Sequence, residues 1–391
     1  MLKGTAIHAT IEEICSLGPR WMGTPGALDA RDFVADQFRK AGLIVELQSF
    51  SYLSYTPEHA VFLVNGQEVP CEPIALSLST KTPLEAPLVF GGKCTAREIE
   101  ALQHAGVKLA NAIVISENLR SFVAYPLAAD AGAAGFVSMT NLPGNTIRCG
   151  CARLDRRAGT IPAVAIGGDD GRRLVQELGS RPSLTGKLEV RGRIESKEGH
   201  NVVGWRKGRS PTKILITAHY DSFWNGVHAM DNAAGMATVI ELSRILDETH
   251  GHTLEFVVFG GEELGFWGSA SYVEAHHSNL ENIGAVVNLD TFGSNLSQLE
   301  IGVTADLVDF CETIVREKTI LVDCWNVPPR AASDQHPFVE RGISAIWLAN
   351  CGADQRYHTP LDVPSQMSAH KLEQVASLAR LFIENIGRAF S

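Results

Sequence analysis

The chain has 391 residues, of which 45% are hydrophobic and 20% are charged, a composition typical of soluble globular proteins. It is too long for one ordinary domain of roughly 100–200 residues, and its net charge of −10 lacks the basic footprint of a nucleic-acid-binding protein. We find no signal-peptide core and no apolar stretch of membrane-spanning length, so we expect a cytoplasmic protein with no membrane partner. The eight cysteines form no CxxC pair, and we expect them to be reduced thiols.

The first predicted elements are a helix and a strand near the N-terminus. Residues 22–43 combine a turn with an amphipathic helix, because Phe33, Val34 and Phe38 share one face and Gly42 can end the helix. A strand is predicted to follow at residues 44–50.

The character of the chain changes between residues 57 and 186, where proline, glycine and alanine become frequent. Short strands are predicted at 112–116, 135–139 and 161–166, with a helix of small residues around 124–134. Few acidic residues or histidines cluster here. The pattern predicts a separate, inserted α/β module at 57–186, with residues 1–56 and 187–391 forming the main domain.

Strands and helices alternate from Asn201 onward. Strands are predicted at 214–218, 254–259, 285–289 and 343–348, and helices at 231–248, 268–276, 305–318 and 370–386. Near-continuous apolar strands that alternate with helices are typical of an α/β fold with a mostly parallel mixed sheet flanked by helices.

Potential ligands stand just after the predicted strands of this region. In open α/β sheets, ligands bind outside the carboxyl ends of the strands, so side chains that follow different strands meet at one edge. The residues at this edge are His219 and Asp221 after the first strand, Glu262 and Glu263 after the second, Asp290 after the third, His358 in the loop after the fourth, and Asp231 at the start of a helix.

The types of these side chains indicate metal chemistry. Imidazole and carboxylate together suit zinc and its first-row neighbours, and two histidines with three carboxylates can hold two cations if one carboxylate bridges them. Such a pair can hold an attacking water and polarise a carbonyl. One of the adjacent Glu262 and Glu263 would then bind metal while the other takes the proton of the water. Gly260 and Gly261 would let the backbone turn so that both carboxylates face one cavity.

Five separated motifs resemble the M28 family of metallopeptidases and occur in the family's order. They are HYDS at 219–222, MDNAAG at 230–235, GEELGFWGS at 261–269, NLD at 288–290 and YHTPLD at 357–362. The resemblance covers roughly residues 195–391 and the N-terminal helix, and it implies the zinc-exopeptidase, phosphorylase/hydrolase-like form of the α/β fold.

The resemblance also implies roles for individual residues. His219 and Asp290 would bind one zinc ion, Glu263 and His358 the other, and Asp231 would bridge both. Other divalent metals such as Co²⁺ or Mn²⁺ would also fit. The resemblance further implies that Glu262 is the general base and that Asp221 orients the imidazole of His219. It also implies a cis peptide bond between Asp231 and Asn232.

The activity implied is that of a two-zinc aminopeptidase acting on the N-terminus of peptides. A carboxypeptidase or dipeptidase on the same scaffold is the alternative, and it would need a basic residue such as Arg330, Arg341 or Arg356 to hold the substrate carboxylate. A glutaminyl cyclase-like transferase is disfavoured because the ligand set is complete for two metals. A non-catalytic binding protein that kept the fold is disfavoured because no ligand is lost.

Segment 57–186 resembles a protease-associated (PA) domain through AGAAGF at 131–136 and IPAVAIGGDDG at 161–171. One departure from the family concerns SDQHPF at 333–338, where Gln335 stands at a position that is commonly His and near the substrate.

The sequence leaves the roles of several further residues open. Asp362 either supports His358 or caps a turn, and Tyr357 either donates to a tetrahedral intermediate or packs. Phe223, Trp224 and Trp267 line either a specificity pocket or the core, and His228, His276, His277 and His336 are expected at the surface or in loops.

Overall fold

The structure, a computed structural model, describes residues 2–246, 251–352 and 354–389. The helices are α1 (Gly4–Ser16), α2 (Pro25–Lys40), α3 (Ala96–His104), α4 (Ser121–Asp130), α5 (Gly168–Ser180), α6 (Ala234–Ile245), α7 (Trp267–Ala275), α8 (Val308–Glu317), α9 (His336–Val339) and α10 (Ala369–Asn385). The strands are β1 (Ile44–Val64), β2 (Gln67–Val69), β3 (Cys71–Pro73), β4 (Leu84–Phe90), β5 (Ile113–Ser116), β6 (Gly135–Met139), β7 (Ala163–Ile166), β8 (Thr185–Arg206), β9 (Lys213–His219), β10 (Thr253–Phe259), β11 (Ile283–Leu289), β12 (Leu299–Val303), β13 (Cys324–Asn326) and β14 (Ala345–Asn350). Short helical turns cover Ala229–Ala233, Leu280–Asn282, Ala305–Leu307, Pro364–Gln366 and Ile386–Ala389. Among the described residues, no helix is both long and apolar enough to cross a bilayer.

Contacts divide the chain into two compact units. The first unit contains residues 1–51, 198–262 and 266–391, and the second contains 52–197 with 263–265. Both limits of the second unit fall inside long strands, β1 and β8, so no loop marks either limit.

The sheet of the first unit has the strand order β13-β12-β14-β11-β9-β10-β8. Its four central strands, β14, β11, β9 and β10, are parallel, whereas β12 and β8 are antiparallel to their neighbours β14 and β10. All seven residues of β9 except the first are buried, as a sheet covered on both faces requires. This confirms the predicted α/β class with a mostly parallel mixed sheet.

The helices of the first unit cover this sheet through their apolar faces. Helix α1 packs against α6 and α10, and Ile7, Ile11 and Ile14 on one face of α1 are buried. Helix α2 begins at Pro25 and ends before Gly42, whose φ of +79° lets the chain turn into β1. The predicted helix at 231–248 corresponds to α6, which begins only at Ala234; its predicted end at Glu248 lies outside the described residues.

The second unit has its own sheet and core. Strands β4, β5, β6 and β7 are parallel neighbours in that order, and β3 pairs antiparallel with β7. Two clusters of buried apolar side chains, one around Val137 and the other around Phe136, fill its interior. Alternate residues of β6 thus face opposite sides of the sheet and supply both clusters.

Two of the eight cysteines are joined in the structure. Cys324 of β13 and Cys351, which follows β14, form a disulfide with their Cα atoms 6.0 Å apart. The expectation of eight reduced thiols is therefore wrong for this pair. The reason is topological: β12 pairs with both β13 and β14, so two cysteines 27 residues apart in sequence come together beside its first residues.

Candidate metal centre

The sheet brings the predicted ligands to one edge. His219 is the last residue of β9, Asp290 directly follows β11, and Glu262 follows β10 after two glycines. Because β9, β10 and β11 are parallel and adjacent, these three side chains meet at the carboxyl ends of the strands. The position of the site therefore follows directly from the topology.

His219, Glu262 and Asp290 form one group whose donor atoms lie within 4.8 Å of one another. Nε2 of His219 is 3.3 Å from Oδ1 of Asp290 and 4.0 Å from Oε2 of Glu262. Thr291 donates its hydroxyl to the same Oδ1 of Asp290 at 2.8 Å. Glu262 is thus the more distant carboxylate on this side of the centre.

Asp231, Glu263 and His358 form a second group within the same 4.8 Å limit. Asp231 belongs to both sides: its Oδ1 lies 3.3 Å from Nε2 of His219, and its Oδ2 lies 2.9 Å from Nε2 of His358. A carboxylate whose two oxygens face two imidazoles has the geometry of a bridging ligand.

The centre contains a high density of buried negative charge, which a cation would compensate. Asp231, Glu262, Glu263 and Asp290 are all buried, and like charges so close together are costly without a compensating cation. Burial by itself would lower the pKa of His219, yet Glu262 and Asp290 outweigh it and hold that pKa well above its usual value. Burial alone would raise the pKa of Asp231, but hydrogen bonds from the two imidazoles lower it far below its usual range. Imidazole and carboxylate donors in this number fit a pair of zinc-like cations.

Asp221 organises the turn that carries Glu262. Its Oδ1 accepts the backbone N–H groups of Gly261 at 2.9 Å and Glu262 at 3.2 Å, and Gly261 has a φ of +76° that favours glycine. Its backbone carbonyl oxygen lies 3.0 Å from Nδ1 of His219, whereas its carboxylate is 3.7 Å away. Asp221 therefore contacts His219 mainly through its main chain, and its carboxylate fixes the turn of Gly261 and Glu262.

The segment before α6 shapes the position of Asp231. The Asp231–Asn232 peptide bond is cis, which confirms the expectation, and neither residue has helical dihedral angles. Asp362 accepts from the backbone N–H groups of Met230 at 2.7 Å and Asp231 at 3.1 Å. Burial, the largest influence, raises the pKa of Asp362 to about 7. Asp362 thus supports the main chain at Asp231, which is neither of the two roles left open for it.

Aromatic rings pack behind His358. Phe223 lies with its ring centre 4.5 Å from that of His358 and stacks on Trp21 at 5.3 Å, and Trp224 contacts both Phe223 and Trp21. The ring centre of Tyr357, the preceding residue in the chain, lies 4.9 Å from that of His358. Phe223 is buried, so it packs against the ring of His358.

Other residues singled out in the sequence lie elsewhere. Gln335 is fully buried: its Oε1 accepts from Asn288 at 2.9 Å and its Nε2 donates to the carbonyl of Arg330 at 2.8 Å. Gln335 therefore satisfies buried hydrogen-bonding groups of the interior. His228 is also fully buried, against the expectation of a surface or loop residue, and burial lowers its pKa to about 3. His336 lies beside Phe266 with its ring centre 6.1 Å away.

Sequence reasoning missed two buried polar residues that support the centre. Asn288 accepts from Thr217 at 2.7 Å and donates to Ser333 and Gln335, so it links β9, β11 and the loop before α9. Arg20 is fully buried between α1 and α2. The signals for them were weak: Asn288 stands inside the NLD motif, and Arg20 is a charged residue beside a proline and a tryptophan.

A mostly parallel α/β sheet with buried imidazole and carboxylate donors at its strand ends defines a metallohydrolase. Residues 201–383 match the model of peptidase family M28. Together with the aminopeptidase relatives, this match identifies the chain as a metallo-exopeptidase, a hydrolase of peptide bonds.

Comparison with individual proteins agrees with this match. The chain is 27% identical to aminopeptidase YwaD of Bacillus subtilis (strain 168) over 96% of its own length and 83% of that protein. It is 28% identical to an aminopeptidase of Pseudomonas aeruginosa (strain UCBPP-PA14) over 73% of its length, which spans only 56% of that relative. Its fold is similar to the solved structure of BSAP, a zinc aminopeptidase from Bacillus subtilis, with a TM-score of 0.75, 22% identity, and coverage of 98% of this chain and 95% of that one.

Proposed function

We propose that this chain is a co-catalytic two-zinc aminopeptidase, with Glu262 as the general base. The observation that carries the proposal is Asp231, whose two carboxylate oxygens face the imidazoles of His219 and His358 from opposite sides. His219 and Asp290 would hold one zinc ion, Glu263 and His358 the other, and Asp231 both. BSAP, a structural relative, is a zinc aminopeptidase, and the relatives similar in sequence are aminopeptidases; both support this assignment.

The residues of the chain divide the work of peptide hydrolysis. When bound, zinc would supply Lewis-acid chemistry, polarising the scissile carbonyl and making a nearby water more acidic. Glu262 is held by the Asp221-bound turn with its carboxylate farther from His219 than those of Asp231 and Asp290. That position leaves Glu262 able to take a proton from the attacking water and pass it to the leaving amine.

The approach of substrate is expected from the side of His358. The side chain of His358 is 19% exposed, whereas His219 is only 1% exposed. A peptide that reaches the centre from the His358 side would present its free α-amino group to the surrounding carboxylates, an arrangement that suits an exopeptidase acting at the N-terminus.

The carboxypeptidase alternative needs a basic side chain to bind the C-terminal carboxylate of the substrate. The three candidate arginines are each engaged with a carboxylate of the protein. The pairs are Arg330 with Glu300, Arg341 with Glu274, and Arg356 with Asp354. These ion pairs favour the aminopeptidase over the carboxypeptidase.

The adjacent glutamates offer a matched pair of variants that tests the assignment. Glu262→Gln should keep two zinc ions per chain and lose turnover by about 10²–10⁴-fold, because it removes the proton acceptor alone. Glu263→Gln should instead lose bound zinc. Metal analysis and hydrolysis of aminoacyl p-nitroanilides check both outcomes, with N-acylated versions as the substrate control. Near-normal turnover of Glu262→Gln, or loss of zinc in that variant with retention in Glu263→Gln, would contradict the roles.

The inserted segment belongs to the proposal as well. We assign residues 57–186 as a PA-like module on the strength of its own α/β sheet and its two apolar clusters. Peptides are the proposed substrates of the enzyme as a whole.

A further inference from the structure

Arg20 is a buried cation whose hydrogen-bonding partners are backbone carbonyl oxygens. It lies in the segment between α1 and α2, is 0% exposed, and lies outside the region matched to the peptidase family. An isolated charge is expensive to bury, and arginine is almost never fully buried without partners. A guanidinium in this position therefore has a specific task.

The guanidinium of Arg20 connects the two ends of the loop formed by residues 220–228. Its Nε donates to the carbonyl oxygen of Tyr220 at 2.9 Å, one Nη to that of Val227 at 2.5 Å and the other to that of His228 at 3.1 Å. Tyr220 directly follows His219, and His228 precedes Asp231 by three residues. Because the fork of donors is planar and rigid, it fixes the distance between the two ends of the loop.

The main chain of Arg20 adds two further bonds to the same loop. Its N–H donates to the hydroxyl of Ser222 at 3.1 Å, and its carbonyl accepts from the N–H of Ser222 at 3.2 Å. The adjacent Trp21 stacks on Phe223, which contacts the ring of His358. The segment of Arg20 and Trp21 thus reaches the supports of three proposed ligands.

The charge of Arg20 also suits its surroundings. Burial, the largest influence, lowers its pKa, and the neighbouring Asp362, Asp231 and Asp221 oppose that effect. The cation therefore offsets part of the negative charge around the bridging aspartate while leaving the carboxylate oxygens of Asp231 to the imidazoles.

We propose that Arg20 is a positioning residue for the metal pair: it sets the spacing of His219 and Asp231 so that one aspartate can bridge two ions. The inference rests on the proposed two-zinc function. It gives an N-terminal residue, about 200 positions away from the loop that it holds, a direct effect on metal affinity. Residues that orient metal ligands typically change metal affinity about 10–100-fold when they are replaced.

Arg20→Lys tests this proposal because it keeps the charge and removes the fork. Zinc affinity, measured by competition with a chromogenic chelator, should fall about 10–100-fold for at least one of the two ions. The visible spectrum of the Co²⁺-loaded variant should also change, because that spectrum reports ligand geometry. Neither readout responds to a loss of overall stability alone.

Arg206→Lys is the matched control. Arg206 also donates through its guanidinium to backbone carbonyls, those of Ala41 and Ser243, both at 3.1 Å. It pairs with Leu254 near the start of β10, at the end of the sheet opposite the metal centre. Its replacement should lower the melting temperature without a change in zinc affinity or in the Co²⁺ spectrum.

The outcomes separate the possible failures. Wild-type affinity and spectrum in Arg20→Lys, or an equal loss of zinc in Arg206→Lys, would overturn the positioning role. If Arg20→Lys does not fold, Ser222→Ala removes a single acceptor of the Arg20 main chain and should weaken zinc binding about threefold or more; unchanged affinity there would overturn the proposal. A wild-type protein that binds fewer than two zinc ions would instead contradict the proposed function.

Discussion

His219 lies among buried carboxylates, and their charge determines its protonation state. Burial opposes the charged imidazole, but Glu262 and Asp290 raise the pKa of His219 well above 6.5. In the metal-free protein, His219 should therefore keep its proton to a higher pH than an ordinary imidazole. Zinc needs the unprotonated nitrogen, so its binding should release a proton from His219 wherever the pH lies below the raised pKa. Zinc affinity should rise with pH until the pH passes the raised pKa. Calorimetric titration in two buffers of different ionisation enthalpy measures the proton count.

Glu262→Gln provides the comparison for this prediction. Glu262 is the carboxylate that raises the pKa of His219 most, so its neutralisation should lower that pKa and reduce the number of protons released. The proton count of Glu262→Gln should fall below that of the wild type at pH 7. A wild-type count of zero, or an equal count in both proteins, would contradict the raised pKa of His219.

At the level of single residues, the sequence predicted those whose chemistry is visible in their type. His219, Glu262 and Asp290 stand at or just beyond the ends of apolar strands, so their convergence follows from the parallel sheet. Arg20 could not be predicted in the same way. Its acceptors are peptide carbonyls, which every residue carries, so no pattern of side chains points to them. The role of Asp362 could not be predicted for a similar reason, since its carboxylate accepts hydrogen bonds from backbone N–H groups.

At the level of elements, the loop from β10 to α7 depends on a close approach at Gly268. A Cβ atom on Gly268 would lie 2.2 Å from Oδ1 of Asn201 and 2.5 Å from the carbonyl oxygen of Gly260. Gly268→Ala must therefore push α7 away from the end of β10, which carries Glu262. We expect a destabilisation of about 1–3 kcal/mol and a lower turnover. Chemical denaturation and kinetic assays measure the two effects.

Gly179→Ala is the control for the same substitution. Gly179 is exposed in α5, and a Cβ atom there would meet no atom within 4 Å. Alanine at this helical position should stabilise the protein by about 0.4–1 kcal/mol and leave turnover unchanged. Equal stability of Gly268→Ala and the wild type would show that the helix tolerates the displacement.

The elements that the sequence predicted best are the apolar central strands, because a strand buried on both faces leaves a continuous hydrophobic run. Strand β12 was missed because Glu300 interrupts its apolar run. In the structure Glu300 is buried and bound to Arg330 and Asn326, so the charge does not prevent a buried strand. Helix α6 begins later than predicted because Asp231 and Asn232 adopt non-helical dihedral angles before it.

At the scale of the whole molecule, the change in composition after residue 57 predicted a separate module, and the structure contains a second unit over residues 52–197. Composition could not fix the limits, because β1 and β8 run through them as regular strands. The buried apolar clusters of the second unit contain only its own residues, and the cluster around Phe259 and Val286 contains only residues of the first. Each unit thus has a hydrophobic core of its own.

Metal removal should therefore act mainly on the first unit. Four of the five proposed ligands, His219, Asp231, Asp290 and His358, belong to the first unit, and the fifth, Glu263, directly follows Glu262 of that unit. A ligand that binds only the folded state stabilises the part that binds it. Free zinc at a hundredfold excess over its dissociation constant contributes about 2.7 kcal/mol, which corresponds to about 5–10 °C in melting temperature for a unit of this size. Differential scanning calorimetry of the intact protein should show one transition that falls by this amount after chelation and another that does not move.

Two variants, Glu263→Gln and Gly179→Ala, can assign the two transitions to the two units. Glu263→Gln, which should bind less zinc, should shift the chelator-sensitive transition in the absence of chelator. Gly179→Ala, whose helix belongs to the second unit, should raise only the other transition. A single transition that moves as a whole under chelation would mean that the two cores melt together despite their separate side-chain clusters. The donor groups of the centre are buried and closely spaced, so bound zinc should stabilise the sheet that carries them. A profile that does not shift after chelation would therefore contradict zinc binding at this centre.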